Sequence, residues 1–227
     1  HNSFFASSVR ILRFIALNLA LLLPAVTVAA FSFHLGMLPF ELINTVAGAR
    51  QGLPLTIAFE IIAIEFAFEL LREAGVRLPK TIGQAISTVG GLVIGQAAVN
   101  AGLVSPISVI VVATTAIASF TIPNYDAGAS LRLLRFILII LASILGGIGI
   151  MFGLMVVLIH LCSLRSFGVP YLAPFAPLNL GNLKDTFIRI PLWSKKERPW
   201  AFTNNKSSPR QAPNQGPRKP KKRRRSS

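Results

Sequence analysis

The sequence predicts an all-α fold, a polytopic integral membrane domain with four to five membrane segments, one of them re-entrant or interfacial. Three observations predict it. Of the 227 residues 52% are hydrophobic and only 14% are charged, where a soluble domain carries about 25% charged residues. The apolar residues fall in long runs, and the first, Phe14 to Phe33, holds twenty residues without a charge. Such a run crosses roughly 30 Å of hydrocarbon at 1.5 Å per residue. The stretch from Arg72 to Phe120 then joins a charged turn to two apolar segments broken by Gly, Ser, Thr and Pro. Small residues repeated through apolar runs suit helices that approach closely inside a bilayer.

In chain order, Phe14 to Phe33 is the first membrane helix, preceded by Arg10 and Arg13 and carrying Pro24 in its middle, where a backbone bond is lost and a kink is expected. A connector runs from His34 to Gly52. Leu53 to Leu71 is the second apolar stretch and holds Glu60, Glu65 and Glu69 ahead of a basic turn with Arg72, Arg77 and Lys80. Ile82 to Val104, rich in glycine, and Pro106 to Ile122 are the third and fourth, and the few residues between them predict a hairpin. Phe136 to Leu161 is the most hydrophobic, and its twenty-six residues suffice for a tilted or overlong span. Beyond it, Pro170, Pro174 and Pro177 exclude a long helix while Phe167, Tyr171, Phe175 and Trp193 supply interfacial aromatics, so this stretch is expected to lie along a membrane surface.

Charge divides the chain into a membrane domain, 1 to 183, and a basic segment, 184 to 227. The first holds nine Lys/Arg against six Asp/Glu and the second fourteen against two. From about residue 203 the segment has too little apolar surface to fold and is expected to be disordered. Its terminal KKRRR fits anionic headgroups better than nucleic acid beside a membrane domain. The single Cys162 forms no intrachain disulfide, and the chain opens on His1 without a secretory leader, which predicts a fragment lacking its N-terminal part. Five full crossings would put the N-terminal arginines and the basic tail on opposite sides, against the positive-inside rule. One segment is therefore expected to be re-entrant or interfacial, either the Glu-bearing stretch or the Gly/Pro-rich hairpin.

Glu65, Glu69 and Glu73, spaced by four, fall on one helix face, with Glu60 well off it. A carboxylate at membrane depth costs at least about 2.5 kcal/mol, so each needs a partner, a proton or water. Two readings follow: an acidic stripe facing a cation pathway, or an amphipathic interfacial helix whose acids pair with Arg72 and Arg77. Ser105, Ser108, Thr114, Thr115 and Ser119 put hydroxyls along the fourth segment, Pro106 fixes its entrance, and Val109 and Val112 stand among them. Hydroxyls can solvate ions and apolar side chains can gate by dewetting, which makes Ser105, Pro106, Ser108, Val109, Val112, Thr115 and Ser119 pore-lining candidates; bonding between helices is the other use of such hydroxyls. Gly91 and Gly95 form a small-xxx-small pair suited to helix packing. His160 beside Cys162 has no further ligand at metal spacing, so no metal site is expected. No catalytic constellation, phosphate loop or cofactor motif occurs, and the sequence is not read as an enzyme.

REAGVRLP (Arg72 to Pro79), VIGQAAVNAGLVSPISVIVVA (Val93 to Ala113), HLCSLRSFGVPYLAPFAP (His160 to Pro177) and RPWAF (Arg198 to Phe202) resemble the A subunits of GerA-type spore germination receptors. The likeness runs in order over roughly residues 8 to 202 and extends to the related stage V sporulation protein AF type, whose members are taken as accessory channels. It implies a multi-pass protein of the inner spore membrane that works with a transporter-like B subunit and a lipoprotein C subunit. It also implies a soluble domain ahead of the membrane part, and assembly of A subunits into a nutrient-gated ion channel that triggers germination, with the nutrient held mainly by the B subunit. Thr27, Gly36 and Thr56 depart from the residues the family pattern leads one to expect. The alternative role is a non-conducting scaffold that relays the signal of a transporter-like sensor.

Overall fold

A computed structural model describes residues 3 to 166, 168 to 173, 175, 176 and 178. The described chain is helical: α1 (Ser3–Phe33), a 3-10 turn (Leu35–Met37), α2 (Phe40–Ala49), α3 (Ile57–Arg77), α4 (Lys80–Asn100), α5 (Pro106–Phe120), α6 (Tyr125–Leu145) and α7 (Gly147–Ser163). A two-stranded ribbon follows, β1 (Arg165–Ser166) paired antiparallel with β2 (Val169–Pro170) about Gly168 at φ +80°, a backbone region that glycine enters without cost. The chain divides into two compact units, Arg13–Val157, and His1–Leu12 with Leu158–Ser227. The basic tail, the aromatics Phe167 and Trp193 and the RPWAF motif lie outside the described residues.

Within the Arg13–Val157 unit the core is built where apolar faces of five helices meet. Leu21, Ala25, Val28 and Ala29 of α1, Ile57, Ile61 and Ile64 of α3, Val112 of α5, Leu138, Ile139 and Ala142 of α6 and Ile150 of α7 form one buried cluster, joined by Val104 from the α4–α5 loop. A smaller contact of Ala16 and Ala20 with Ala118 seats α1 on α5. Pro24 is fully buried within α1. Thr27, three residues on, turns its hydroxyl back to the Leu23 carbonyl at 2.8 Å.

Much of the outside is apolar as well. Ile148, Met151 and Ile159 of α7, Leu133 and Ile144 of α6 and Ile110, Ile117 and Phe120 of α5 are each more than 60% exposed. Soluble monomers rarely expose apolar patches on this scale. Two helical stretches, Phe4–Phe33 and Asp126–Leu145, are long and apolar enough to cross a membrane, and α5 and α7 are shorter apolar helices.

Three departures from the expected elements have clear local causes. Arg72 to Arg77 is the last turn and a half of α3 rather than a turn, because the acids and bases there pair at helical spacing, Glu69 with Arg72 and Glu73 with Arg77; the turn falls at Leu78 and Pro79. The connector contains α2, which starts directly after Pro39. The run Phe136 to Leu161 is broken in two by Gly146, at φ +62°. There the chain turns back on α6: a Cβ on Gly149 would collide with the Leu141 carbonyl oxygen, and one on Gly153 would stand 2.6 Å from Leu138 Cδ2. Gly149 and Gly153 are thus a small-xxx-small pair that seats α7 on α6.

Candidate functional site

α3 carries four carboxylates, and each meets a cation. Glu60, wholly buried, gives one oxygen, Oε2, to three donors: the Ser105 amide at 2.9 Å, the Ser105 hydroxyl at 2.8 Å and the Ser108 hydroxyl at 2.7 Å. Its Oε1 accepts from Arg50 Nη2 at 3.3 Å. The start of α5 is built to present these donors. Ser105 is its N-cap, Pro106 occupies the first turn where no amide partner is needed, and the Ser105 hydroxyl also accepts from the Ser108 amide. A helix N-terminus with free amides favours a carboxylate in front of it, and Glu60 reaches in from a neighbouring helix.

Five residues along α3, Glu65 is buried against Arg135 of α6, whose Nη1 donates to both carboxylate oxygens at 2.9 and 2.8 Å. Arg135 is itself 2% exposed and its Nε has no hydrogen-bond partner. A single guanidinium nitrogen serves the pair, so the fork geometry that makes arginine special is not used here. Glu69 bridges two cations, Arg132 of α6 at 2.8 Å and Arg72 of its own helix at 3.3 Å. Arg72 reaches on to the Ser119 hydroxyl at 3.2 Å and stands over the Phe120 ring at 5.3 Å. Glu73 and Arg77 pair at 2.7 Å on an exposed face. The ladder ties α3 to the loop after α2, to both ends of α5 and to the first half of α6. Because Glu60 meets Ser105 and Arg72 meets Ser119, α3 and α5 run parallel.

The residues singled out in the sequence separate accordingly. Ser105, Ser108, Val112 and Thr115 are fully buried on the α5 face turned toward α3. Thr115 donates to the Val111 carbonyl at 2.7 Å and Ser119 to that of Ala116 at 2.6 Å. Pro106 and Val109 lie on a different face, lining a cleft of about 970 Å³ between α4 and α5 with α3 as its floor. Thr114 is exposed on the flank between Ile110 and Ile117. α4 packs on α3, Gly83 against Gly75 and Gly91 against Phe68, while a Cβ placed on Gly95 would stand 3.5 Å from Val109 Cγ1 of α5. The expected α4–α5 hairpin is therefore two helices leaning on a third and parted by a groove. Among the described residues no group of three His, Cys, Asp or Glu could hold a metal ion. Glu60, set aside in the sequence because it lies off the stripe, is the most heavily bonded acid of the four. The signal for it is the Ser-Pro-x-Ser cap at Ser105 to Ser108, whose buried hydroxyls need an acceptor.

The described residues thus form a helical domain with a largely apolar exterior and two helices long and apolar enough to cross a membrane. The chain belongs to the Bacillus/Clostridium GerA spore germination protein family, whose model its residues 1–201 match. It is 50% identical over 194 residues to spore germination protein KA of Bacillus subtilis (strain 168), covering 86% of this chain and 36% of that protein. It is 49% identical over 195 residues to the uncharacterized membrane protein YfkQ of the same organism, covering 86% and 38%. With spore germination protein GerLA of Bacillus cereus it shares 45% identity over 192 residues, 83% of this chain and 39% of that protein. The chain thus spans well under half the length of these relatives. No solved structure matches it.

Proposed function

We propose that this chain is the membrane domain of a germinant-receptor A subunit in the inner spore membrane, a multi-pass protein that triggers germination by opening a cation pathway formed by several copies. The observation that carries the reading is membership of the GerA family, at 50% identity to spore germination protein KA over 86% of the chain. A transporter-like B subunit and a lipoprotein C subunit are its partners in this reading, with membrane lipid around them. No catalytic or nucleic-acid-binding role is assigned to it.

α5 is the element we assign to the pathway. Its buried face is committed to α3: the Ser105 and Ser108 hydroxyls serve Glu60, and Val112 and Thr115 are enclosed. Of the pore-lining candidates these four hold the helix in place, and Ser119 is bonded to Arg72. The flank left for facing other copies carries Ile110, Thr114 and Ile117, at 63% and 68% exposure for the two isoleucines. Two apolar rings about one ring of hydroxyls suit a constriction that dewets when closed. The stripe of Glu65, Glu69 and Glu73 is fully ion-paired within the chain, which favours a structural role over cation passage. The rival, a scaffold relaying a sensor's signal, passes no current. Full-length protein reconstituted with its partner subunits in planar lipid bilayers should conduct when nutrient is added; a complex that assembles, binds nutrient and stays silent supports the scaffold.

A further inference from the structure

The cleft between α4 and α5 borders the flank assigned to the pathway, for Ile110 and Ile117 stand at its rim, but its depth has a shape and a chemistry of its own. Its walls are almost wholly apolar: Val99 of α4, Val109, Ala113 and Ile117 of α5, over Phe68 of α3. Gly91 and Gly95 leave the α4 wall open at their two positions. α5 runs fifteen residues from Pro106 to Phe120 along it, about 22 Å at 1.5 Å per residue, roughly three quarters of a hydrocarbon core of about 30 Å. At about 970 Å³ it reaches the upper end of the roughly 300–1,000 Å³ typical of sites for small molecules. A groove of this length is long enough to hold one extended acyl chain.

One end of the cleft is cationic. Arg72 lines it five residues before the end of α3, with its side chain 15% exposed. Glu69 gives its closer contact, 2.8 Å, to Arg132 and holds Arg72 at 3.3 Å, so the Arg72 charge is only partly offset. Two hydrogen bonds of Arg72 are formed, to Glu69 and Ser119, whereas a guanidinium has five N–H donors arranged to match phosphate oxygens. Phe120 stands under the guanidinium, its ring centroid 5.3 Å from Arg72 Cζ. The other end carries the neutral amides Gln96 and Asn100. Charge therefore gives the cleft a direction.

We infer that this cleft is a binding site for an anionic phospholipid, its phosphate on Arg72 and one acyl chain laid between α4 and α5. The inference rests on the membrane reading above. Bound lipid would wedge α4 from α5 and so make the position of the pathway helix depend on lipid charge.

The test uses full-length protein in nanodiscs holding a phospholipid with a photoactivatable diazirine in its acyl chain, with either a phosphatidylglycerol or a phosphatidylcholine headgroup. Adducts are mapped by mass spectrometry. Labelling should concentrate on the peptides bearing Val99 and Val109 to Ile117, at least fivefold more with the anionic headgroup. Arg72→Gln should bring the two headgroups to parity, and Ala113→Trp should clear the cleft of adducts with either. The headgroup comparison on the unaltered protein decides the matter even where a variant fails to fold. Labelling spread evenly over all apolar helices, equal labelling by both headgroups, or a second copy of the chain or a partner subunit cross-linked in the cleft would overturn the inference. Alkaline carbonate extraction separates the two levels: release of the protein sinks the membrane reading and this inference together, while retention with even labelling sinks this inference alone.

Discussion

Replacing Glu60 by Gln tests the ladder at its most buried rung. The amide is nearly isosteric, so the change removes charge and one acceptor while leaving the packing. Its oxygen can face the Ser105 amide and the two hydroxyls that now crowd Oε2 at 2.7 to 2.9 Å, but its NH2 then meets Arg50 Nη2, donor against donor. The arrangement loses the Arg50 pair at 3.3 Å and the charge assistance on three short hydrogen bonds. A hydrogen bond to a charged group is worth about 1.5–3 kcal/mol and a neutral one about 1, so three bonds each weakened by roughly 1 kcal/mol give a loss near 3 kcal/mol. Arg50, 24% exposed, can turn to water and adds little. For a unit of this size such a loss lowers the unfolding midpoint by roughly 6–12 °C. Glu73→Gln is the control: it breaks a pair whose side chains are 78% and 53% exposed, worth at most about 0.5 kcal/mol. Thermal unfolding of the two variants in matched detergent should separate them clearly. Midpoints within 2 °C of each other would refute the claim that Glu60 is the anchor of α5.

Other outcomes follow from neighbouring contacts. Arg135→Met leaves Glu65 buried without a cation and should destabilise by about 3–5 kcal/mol, whereas the double change with Glu65→Gln should recover most of that loss in the same unfolding assay; additive losses would contradict a direct pair. Because only Nη1 of Arg135 is bonded and its Nε has no partner, Arg135→Lys should retain most of the stability, and a loss equal to that of Arg135→Met would show that the guanidinium shape matters. Gly149→Leu sets a side chain against the Leu141 carbonyl and should abolish correct folding as read by monodispersity on size exclusion, while Gly36→Leu, with open space around its Cβ position, should leave the elution profile unchanged.

Composition and apolar runs made four helices legible, since a run without charges has few ways to satisfy its backbone except as a helix; α4 and α5 fell close to their limits, whereas α1 begins at Ser3, eleven residues before its uncharged run, and α3 continues six residues past Leu71 through its charged last turns. The break at Gly146 was hidden by the same signal. Apolar residues continue on both sides of Gly146 and Gly147, so hydropathy stays high through a reversal that depends on one positive φ and two close approaches. α2 was hidden for the opposite reason, a mixed connector with little apolar contrast. At the site, periodicity found the stripe, and the i,i+3 relation of Glu69 to Arg72 was visible in the spacing. Arg132 and Arg135 could not be paired with it from spacing, because they lie 63 and 70 residues along the chain from Glu69 and Glu65. Glu60 was misjudged for that reason: off the face of the stripe, it meets hydroxyls 45 and 48 residues away. Of the hydroxyls that suggested a pore on α5, those of Ser105, Ser108 and Thr115 are buried inside the fold, while Thr114 is exposed.

The central claim is tested most directly by recording nutrient-evoked current through the full-length complex carrying Thr114→Cys, with a charged thiol reagent applied while channels are open. Thr114 is on the exposed flank of α5 and makes none of the contacts of the ladder. The account predicts that the reagent blocks most of the current at Thr114→Cys within seconds, and leaves it unchanged at Val112→Cys, whose position is enclosed. Current unaffected at Thr114→Cys, or block at Val112→Cys alone, would contradict the assignment of the α5 flank to the pathway.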